Sequence, residues 1–356
     1  MTTSYAMVGA ALALVMLFAS ELATGSIVAL AARAGLRLAR RWPARARASL
    51  FFWLRVGPGV LSLAFVLILV VPSYVGYEPL VRDEPVSRLF LLVALLSGTL
   101  LFASTCRLLR RAQATRALSR EWISRSLSLD ALTSLPPRAV MPVSAYALPH
   151  EFPIVAVVGW RRPHLFIAES VLMALSADEL AAVVVHELGH VAARDNLKRA
   201  LMESASGPFA WLGSGRLLER QWAEATECAA DDYVAERAAV RPASASLSLA
   251  AALLKIARLV PEGCTPVAPA GAFLIGPGSD ARGVAGRVRR LVVAADAPIA
   301  QPFRVIVGAT AAGGFTPNQR RCAQVVFLAC ALGIALHPWT QGGVHRVAEH
   351  LVHGFR

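Results

Sequence analysis

The sequence contains little charge and almost no lysine. Aspartate, glutamate, lysine and arginine together make up 17% of its 356 residues, and Lys198 and Lys255 are its only two lysines. A soluble chain of this length would normally fold into about two or three domains. Here 56% hydrophobic residues and a mean hydropathy of +0.54 favour an integral membrane protein instead.

Paired cysteines are also missing from the sequence. The five cysteines are scattered, and no Cys-x-x-Cys sequence occurs among them. A disulfide framework or a cysteine-based zinc site would show cysteines at short, paired spacings. Neither is therefore predicted, and isolated buried thiols are expected.

The sequence is rich in arginine beside its apolar segments. The net charge of +13 comes almost wholly from arginine. Arginines along one face, interleaved with aromatic residues, would be typical of a nucleic-acid-binding protein. Because they cluster at the ends of apolar runs, as in membrane loops, we expect the lipid bilayer as a partner and no direct contact with nucleic acid.

Four apolar runs are predicted to cross a hydrocarbon core about 30 Å thick. They cover about residues 5–30, 51–73, 89–106 and 322–339. No positive charge precedes the first run, as it would in a signal peptide, so a retained helix is expected. The predicted organisation is three transmembrane helices within residues 1–106, a soluble domain over 107–321, a fourth transmembrane helix and a short extracytoplasmic tail over 340–356.

The distribution of arginine predicts the orientation of these helices, because positively charged loops remain in the cytoplasm. Arginines are concentrated between the first and second runs, directly after the third and directly before the fourth. Acidic residues outnumber arginines between the second and third runs. The domain over 107–321 is therefore expected in the cytoplasm of a multi-pass protein of the cell membrane.

The predicted soluble domain contains the sequence His-Glu-Leu-Gly-His at residues 186–190. Ser176, followed three residues later by Glu179, forms a capping box that predicts a helix from about Ala177 to Arg194. Before this helix, the runs 152–158 and 164–168 predict a β-hairpin around Gly159.

His186 and His190 are four residues apart, so they share a helix face and can bind one Zn²⁺. Glu187 lies beside them, where it can act as general base on the zinc-bound water. Zinc lowers the pKa of that water to about 7 and polarises the scissile carbonyl group. A zinc hydrolase also needs a third protein ligand and an open fourth position.

The third metal ligand is predicted on a second helix. Glu227 and Asp231 are again four residues apart, so Glu227 can complete a His–His–Glu set. Asp231 can then accept the ring N–H of a ligating histidine. Glu224 is a rival ligand, Asp195 either supports the site or caps a helix, and a solvated helix face is the simpler alternative for the acids.

Two further aspects of the chemistry stay open. The oxyanion formed during peptide hydrolysis needs a hydrogen-bond donor. Four residues are equal candidates for it: His150, Tyr146, His164 and Tyr233. An edge strand formed by 152–158 or 164–168 could hold an extended peptide across the metal by β-addition, which favours a polypeptide substrate.

These residues resemble those of the gluzincin-type membrane metallopeptidases, in particular the BlaR/MecR-type family of antirepressor proteases. The resemblance rests on "VVGWRRPHLFIAESVL", on "VVVHELGHVAARDN" with the later "ECAAD", and on "RVRRLV" at 287–292. It implies zinc ligands at His186, His190 and Glu227, a general base at Glu187, and a regulator such as a transcriptional repressor as substrate.

One departure from that family concerns its antibiotic sensors, which carry an extracellular penicillin-binding domain with a Ser-x-x-Lys sequence. Neither Lys198 nor Lys255 is preceded by such a serine, so a β-lactam receptor is not expected. Heat-shock-type and CAAX-type membrane proteases, which act in quality control or processing, are the alternative family. A non-catalytic signalling protein with a vestigial zinc site is the alternative from another class.

The predicted fold class is an integral membrane, mainly α protein. It combines four transmembrane helices with a cytoplasmic, zincin-like α+β metallopeptidase domain. The predicted activity is that of a zinc metalloendopeptidase.

Overall fold

The computed structural model describes residues 3–77, 87–129, 143–205, 213–238, 241–260, 281–296, 337 and 340–347. Its helices are α1 (Thr3–Ala39), α2 (Ala44–Phe65), α3 (Val71–Tyr77), α4 (Arg88–Arg125), α5 (Glu169–Ala174), α6 (Ala177–Ala193), α7 (Asp195–Ser204), α8 (Ser214–Arg237), α9 (Pro242–Leu259) and α10 (Ala281–Asp296). The strands are β1 (Leu127–Ser128), β2 (Ser144–Leu148), β3 (Val155–Val158) and β4 (His164–Ala168).

Three long helices contain the three apolar runs predicted near the N-terminus. α1 and α4 have 37 and 38 residues, which at 1.5 Å per residue gives about 56 Å. α2 and α3 are joined through a π-helical turn at Val66–Val70 into one continuous helix. Since a hydrocarbon core is about 30 Å thick, each of these helices can cross a membrane and continue beyond it.

The outer surface of these helices is apolar. Leu30, Leu95 and Phe102 are each more than two thirds exposed, while Val15 and Phe90 belong to a buried cluster between the helices. Large apolar side chains that face outward in this way are typical of helices surrounded by lipid, which needs no polar coat.

A fourth helix, α9, is also long and apolar enough to cross a membrane. It packs against α6, α8 and α10, and its Leu249, Leu253 and Ile256 belong to the same buried cluster as the sheet. We therefore assign α9 to the core of the α+β domain. The predicted transmembrane helix over 322–339 lies outside the described residues except for His337.

The sheet has four strands in the order β1-β2-β4-β3. β2 and β4 are parallel, whereas β1 pairs with β2 and β3 pairs with β4 in antiparallel fashion. The predicted hairpin is confirmed: Val158 pairs with His164, and Gly159 begins the turn with a φ of 114°, which glycine adopts without the strain that a side chain would cause.

The hydrophobic core of the α+β domain lies between this sheet and the helices α6 and α9. Leu165, Phe166 and Ile167 of β4 are fully buried there, together with Val183 and Val184 of α6. Together with the membrane helices, this domain confirms the predicted class of a mainly helical membrane protein with an α+β domain.

Candidate metal centre

α6 begins and ends as its sequence predicts. The hydroxyl of Ser176 accepts a hydrogen bond from the backbone N–H of Glu179, and the Glu179 carboxylate accepts one from the N–H of Ser176. The helix stops at Arg194, which adopts the left-handed conformation with a φ of 55°. These two ends set the length of α6, and its packing against α8 and α9 buries one of its faces.

That face carries the His-Glu-Leu-Gly-His sequence. His186, Glu187 and His190 are each 3% exposed or less. α8 lies directly against Gly189, because a Cβ atom added there would be 3.3 Å from the Cα of Ala230. The glycine within the motif therefore permits the close approach of the second helix.

This close approach brings Glu227 of α8 next to the two histidines. Nε2 of His186 lies 3.7 Å from Oε2 of Glu227, and Nε2 of His190 lies 3.7 Å from Oε1. One ligand atom from each of the three residues lies within 4.8 Å of the other two. Around a tetrahedral Zn²⁺ with bonds of about 2.1 Å the ligand atoms are about 3.4 Å apart, so only a small contraction is needed to bind an ion.

Two buried aspartates orient the imidazole rings. Nδ1 of His190 lies 2.9 Å from Oδ2 of Asp195, and Nδ1 of His186 lies 3.1 Å from Oδ1 of Asp231. A proton on Nδ1 that is shared with a carboxylate leaves Nε2 with a lone pair for a metal. Both Nε2 atoms are directed at Glu227, so the orientation of the rings fits a metal ligand set.

Glu187 provides the test of whether a metal fits this cluster. Its Oε2 atom is buried and has no hydrogen-bond partner among the described residues. Burial, reinforced by the negative charge of Glu227, raises the pKa of Glu187 to about 8, against the opposing charges of His190 and Arg287. A buried carboxyl group without a partner is costly, and a cation held by the neighbouring cluster would offset that cost.

Arg287 of α10 is a site residue that the analysis of the sequence did not single out. Its Nη1 lies 2.7 Å from Oε2 of Glu227 and its Nη2 lies 2.6 Å from Oδ1 of Asp231. Nη2 is also 3.4 Å from Nε2 of His186. Arg287 stands sixty residues after Glu227, and the only sequence signal was the "RVRRLV" segment in the family resemblance.

The arginines of α10 keep Glu227 and Asp231 of α8 ionised. Burial alone would raise the pKa of Glu227, but Arg287 and the two histidines lower it to about 2. The pKa of Asp231 is likewise lowered despite its burial, mainly by Arg287 and His186. Arg290 adds a further hydrogen bond to Asp231, at 2.9 Å. Glu227 is therefore anionic at any ordinary pH, the state in which a carboxylate can bind a metal ion.

The remaining predicted residues lie farther from the cluster. Glu224, the rival ligand, is exposed and accepts a hydrogen bond from Gln221. Of the four candidate oxyanion donors, His150 accepts a hydrogen bond from the backbone N–H of Phe152, whereas Tyr146 and His164 meet edge to face in an aromatic group on the sheet. Tyr233 lies beside Gly189, but its hydroxyl accepts a hydrogen bond from Arg237.

Two runs, 152–158 and 164–168, are predicted from the sequence as edge strands that could bind a peptide, and the structure restricts this possibility. β4 lies between β2 and β3 and has no free edge, so of the two runs named from the sequence only the one that forms β3 lies at an edge of the sheet. Asn196 donates from its side-chain amide to the carbonyl groups of Val157 (2.8 Å) and Gly159 (3.3 Å). The chain itself therefore occupies the C-terminal part of that edge, and Val155 is 1% exposed.

A comparison with known protein families bears directly on this cluster. Residues 155–258 match the model of peptidase family M48. The matched segment runs from β3 into α9 and includes α6 and α8, the helices that carry His186, His190 and Glu227. The match supports a metal-dependent peptidase of family M48 for this part of the chain, without reaching the narrower BlaR/MecR type.

Proposed function

We propose that this protein is a membrane-bound, zinc-dependent endopeptidase that cleaves a cytosolic regulator, such as a transcriptional repressor, or a membrane-associated protein. The observation that carries the proposal is the buried carboxyl group of Glu187 beside the His–His–Glu cluster. The match of residues 155–258 to family M48 supports the same chemistry.

His186, His190 and Glu227 would hold the metal ion. Three protein ligands with an open fourth position are typical of catalytic zinc, whereas structural zinc usually has four protein ligands. Zinc bound here supplies a Lewis acid and a nucleophilic water at neutral pH.

The other residues of the site position groups and move protons. Glu187 would accept the proton of the attacking water and deliver it to the leaving amine. Asp195 and Asp231 hold the imidazole rings. Arg287 holds Glu227 by one carboxylate oxygen.

A polypeptide substrate fits the arrangement of β3 and α6. β3 packs against α6, so a peptide paired with the N-terminal part of β3 would run beside the helix that carries Glu187. Since Val155 is 1% exposed, this edge has to be uncovered before a peptide can pair with it. Such an enzyme would be latent until its membrane segment or a partner opens the edge.

We place the α+β domain in the cytoplasm because of the arginine-rich loops. Met173 on α5 is 87% exposed and is a suitable position for a single cysteine in an otherwise cysteine-free protein. A membrane-impermeant maleimide should label Met173→Cys only after permeabilisation of the cells. Labelling in intact cells would place the domain on the outside.

The catalytic proposal is tested with the full-length protein in lipid vesicles, supplied with zinc and with fluorescein-labelled casein as probe. Glu187→Ala should retain zinc and lose cleavage by about 10²–10⁴-fold, as expected for a general base. Glu224→Gln, an exposed acid on α8, is the matched control and should keep wild-type activity.

Full activity of Glu187→Ala would contradict the proposal, as would a wild-type protein that binds zinc but cleaves neither casein nor any native membrane or cytosolic protein. To identify the native substrate, Glu187→Ala can be crosslinked in its own membrane and the captured proteins compared with those bound by His186→Ala.

A further inference from the structure

α7 reaches from the candidate metal centre to the membrane helices. Its first residue, Asp195, lies 2.9 Å through Oδ2 from Nδ1 of His190. Its second residue, Asn196, holds the two carbonyl groups at the end of β3. With 10 residues, α7 is about 15 Å long, so its other end lies well away from the metal centre.

The C-terminal end of α7 is held by an arginine of the continuous α2–α3 helix. Nη2 of Arg55 donates to the carbonyl oxygens of Met202 (3.0 Å) and Ala205 (3.1 Å). Nε of the same side chain donates to Oε1 of Glu219 on α8, at 2.8 Å. The last carbonyl groups of a helix lack partners within the helix and carry partial negative charge, so a buried arginine stabilises them strongly.

A second membrane helix holds the same end of α7. Arg111 of α4 forms an ion pair with Glu203, one residue before the last of α7. Arg111 follows the apolar run of α4 by five residues and belongs to the part of that helix that extends past the run. The C-terminal end of α7 is thus fixed by one arginine from each of two membrane helices.

The run predicted to cross the membrane, 51–73, includes Arg55, but the contacts of Arg55 with α7 and α8 favour a membrane span that begins after it. The residues after it, 56–77, form an uninterrupted stretch without a charged side chain, about 33 Å long as a helix and close to the thickness of a hydrocarbon core. Arg55 itself is 6% exposed because α7 and α8 cover it. Arg55 thus links this membrane helix directly to the end of α7.

We propose that α7 couples the membrane helices to the metal centre, with Arg55 as the positioning residue at one end and Asp195 at the other. The proposal rests on the proposed function to the extent that His190 is a metal ligand. Without Arg55, the carbonyl groups of Met202 and Ala205 lose their partner, the end of α7 loosens, and Asp195 no longer holds the ring of His190 in one orientation.

A double-mutant cycle on zinc affinity tests this coupling in the full-length protein. Asp195→Asn should weaken zinc binding by about tenfold, as expected when the carboxylate behind a ligating histidine is lost. Arg55→Gln should weaken it by roughly fivefold. In the Asp195→Asn background Arg55→Gln should cause no further loss, because its effect passes through Asp195. Independent sites would instead give additive effects, to within about twofold.

The controls separate coupling from general damage. Arg45→Gln removes an exposed arginine from the same helix and should leave zinc affinity unchanged. If Arg55→Gln does not fold, Arg55→Lys is used in the same cycle, since it keeps the charge but replaces the planar fork of donors by a compact ammonium group. Hydrogen exchange of residues 195–204 should rise in either Arg55 variant and not in Arg45→Gln.

Additive losses of zinc affinity, or an Arg55 variant that binds zinc like the wild type, would overturn the coupling. The readout is zinc affinity rather than proteolysis. A protein that shows the cycle but cleaves no substrate would therefore count against the proposed function and leave the coupling in place.

Discussion

The membrane helices and the α+β domain distribute charge in opposite ways. On α1 and α4 the exposed positions carry large apolar side chains such as Leu30 and Leu95. In the α+β domain the ionisable groups His186, Glu187 and Asp231 are each 1% exposed. One region is apolar toward its surroundings, and the other holds ionisable groups at its centre.

This contrast follows from two free-energy costs: that of exposing apolar side chains to the surroundings and that of burying charged side chains. Apolar side chains can face lipid at no cost in free energy, so the membrane helices do not need a polar surface. A charge inside a protein is tolerated only when it is paired or bound to a metal. In the α+β domain Arg287 and Arg290 supply the pairing for Asp231. The same kind of substitution should therefore have different consequences in the two regions.

The largest effect is expected from removal of the buried guanidinium group of α10. In the metal-free protein, Arg287→Met should lower the free energy of unfolding by about 3–5 kcal/mol, because Glu227 and Asp231 would lose a buried partner. Arg289→Met, on the exposed side of the same helix, is the control and should change it by less than about 0.5 kcal/mol. If thermal unfolding shows the same loss of stability for Arg287→Met and Arg289→Met, the buried ion pairs of Arg287 do not stabilise the fold.

A matched pair of arginine substitutions tests whether the apolar surface faces lipid. Leu95 on α4 is 68% exposed and Met173 on α5 is 87% exposed. Leu95→Arg should cost roughly 2.5–3.5 kcal/mol of membrane insertion free energy, whereas Met173→Arg on a water-facing helix should be within about 0.5 kcal/mol of neutral. The amount of each variant in the membrane fraction measures its insertion. Equal amounts of the two variants would contradict the assignment of α4 to the bilayer.

The raised pKa of Glu187 predicts how the stability of the metal-free protein depends on pH. The unfolded chain loses this proton near the ordinary value of 4.5, whereas the folded, metal-free protein keeps it up to about pH 8. Because the folded state binds more protons in this range, its stability falls as the pH rises from 4.5 to 8.

Glu187→Gln should remove this loss of stability. In the presence of a chelator, the variant should be more stable than the wild type at pH 8 by up to about 4 kcal/mol, and the two should converge near pH 4.5. Thermal unfolding at several pH values, with Asp178→Asn at the exposed start of α6 as control, provides the measurement. Parallel pH profiles of Glu187→Gln and the wild type would mean that Glu187 is not buried in the metal-free state.

Those parts of the molecule that depend on local sequence could be predicted. The capping box of Ser176 and Glu179 fixed the start of α6, and the spacing of His186 and His190 placed them on one helix face. The hairpin around Gly159 followed from two short β-rich runs and a glycine. In each case the atoms that interact are close in the sequence, so local preferences are sufficient.

Contacts between distant segments could not be predicted in the same way. Nothing in the sequence near Arg287 indicates that α10 lies over α8, because that placement depends on how α9 and α10 pack. The partial closure of the β3 edge by Asn196 has the same origin, since an asparagine after a helix usually looks like a cap. For α9 the local sequence is misleading, because its composition permits a membrane span. Only its packing against α6, α8 and α10 assigns it to the α+β domain.

The smallest effects are expected when one glycine in each region is replaced by alanine. At Gly98 on α4, an added Cβ would meet only the flexible end of Leu14, at 3.4 Å, so Gly98→Ala should be within about 0.5 kcal/mol of neutral. At Gly189 the Cβ would lie 3.3 Å from the backbone of Ala230, which cannot move without displacing Glu227 on the same helix. Gly189→Ala should therefore cost about 1 kcal/mol of stability despite the higher helix propensity of alanine, and should weaken zinc binding several-fold. Unchanged zinc affinity in Gly189→Ala would mean that the contact between α6 and α8 is looser than the metal centre requires.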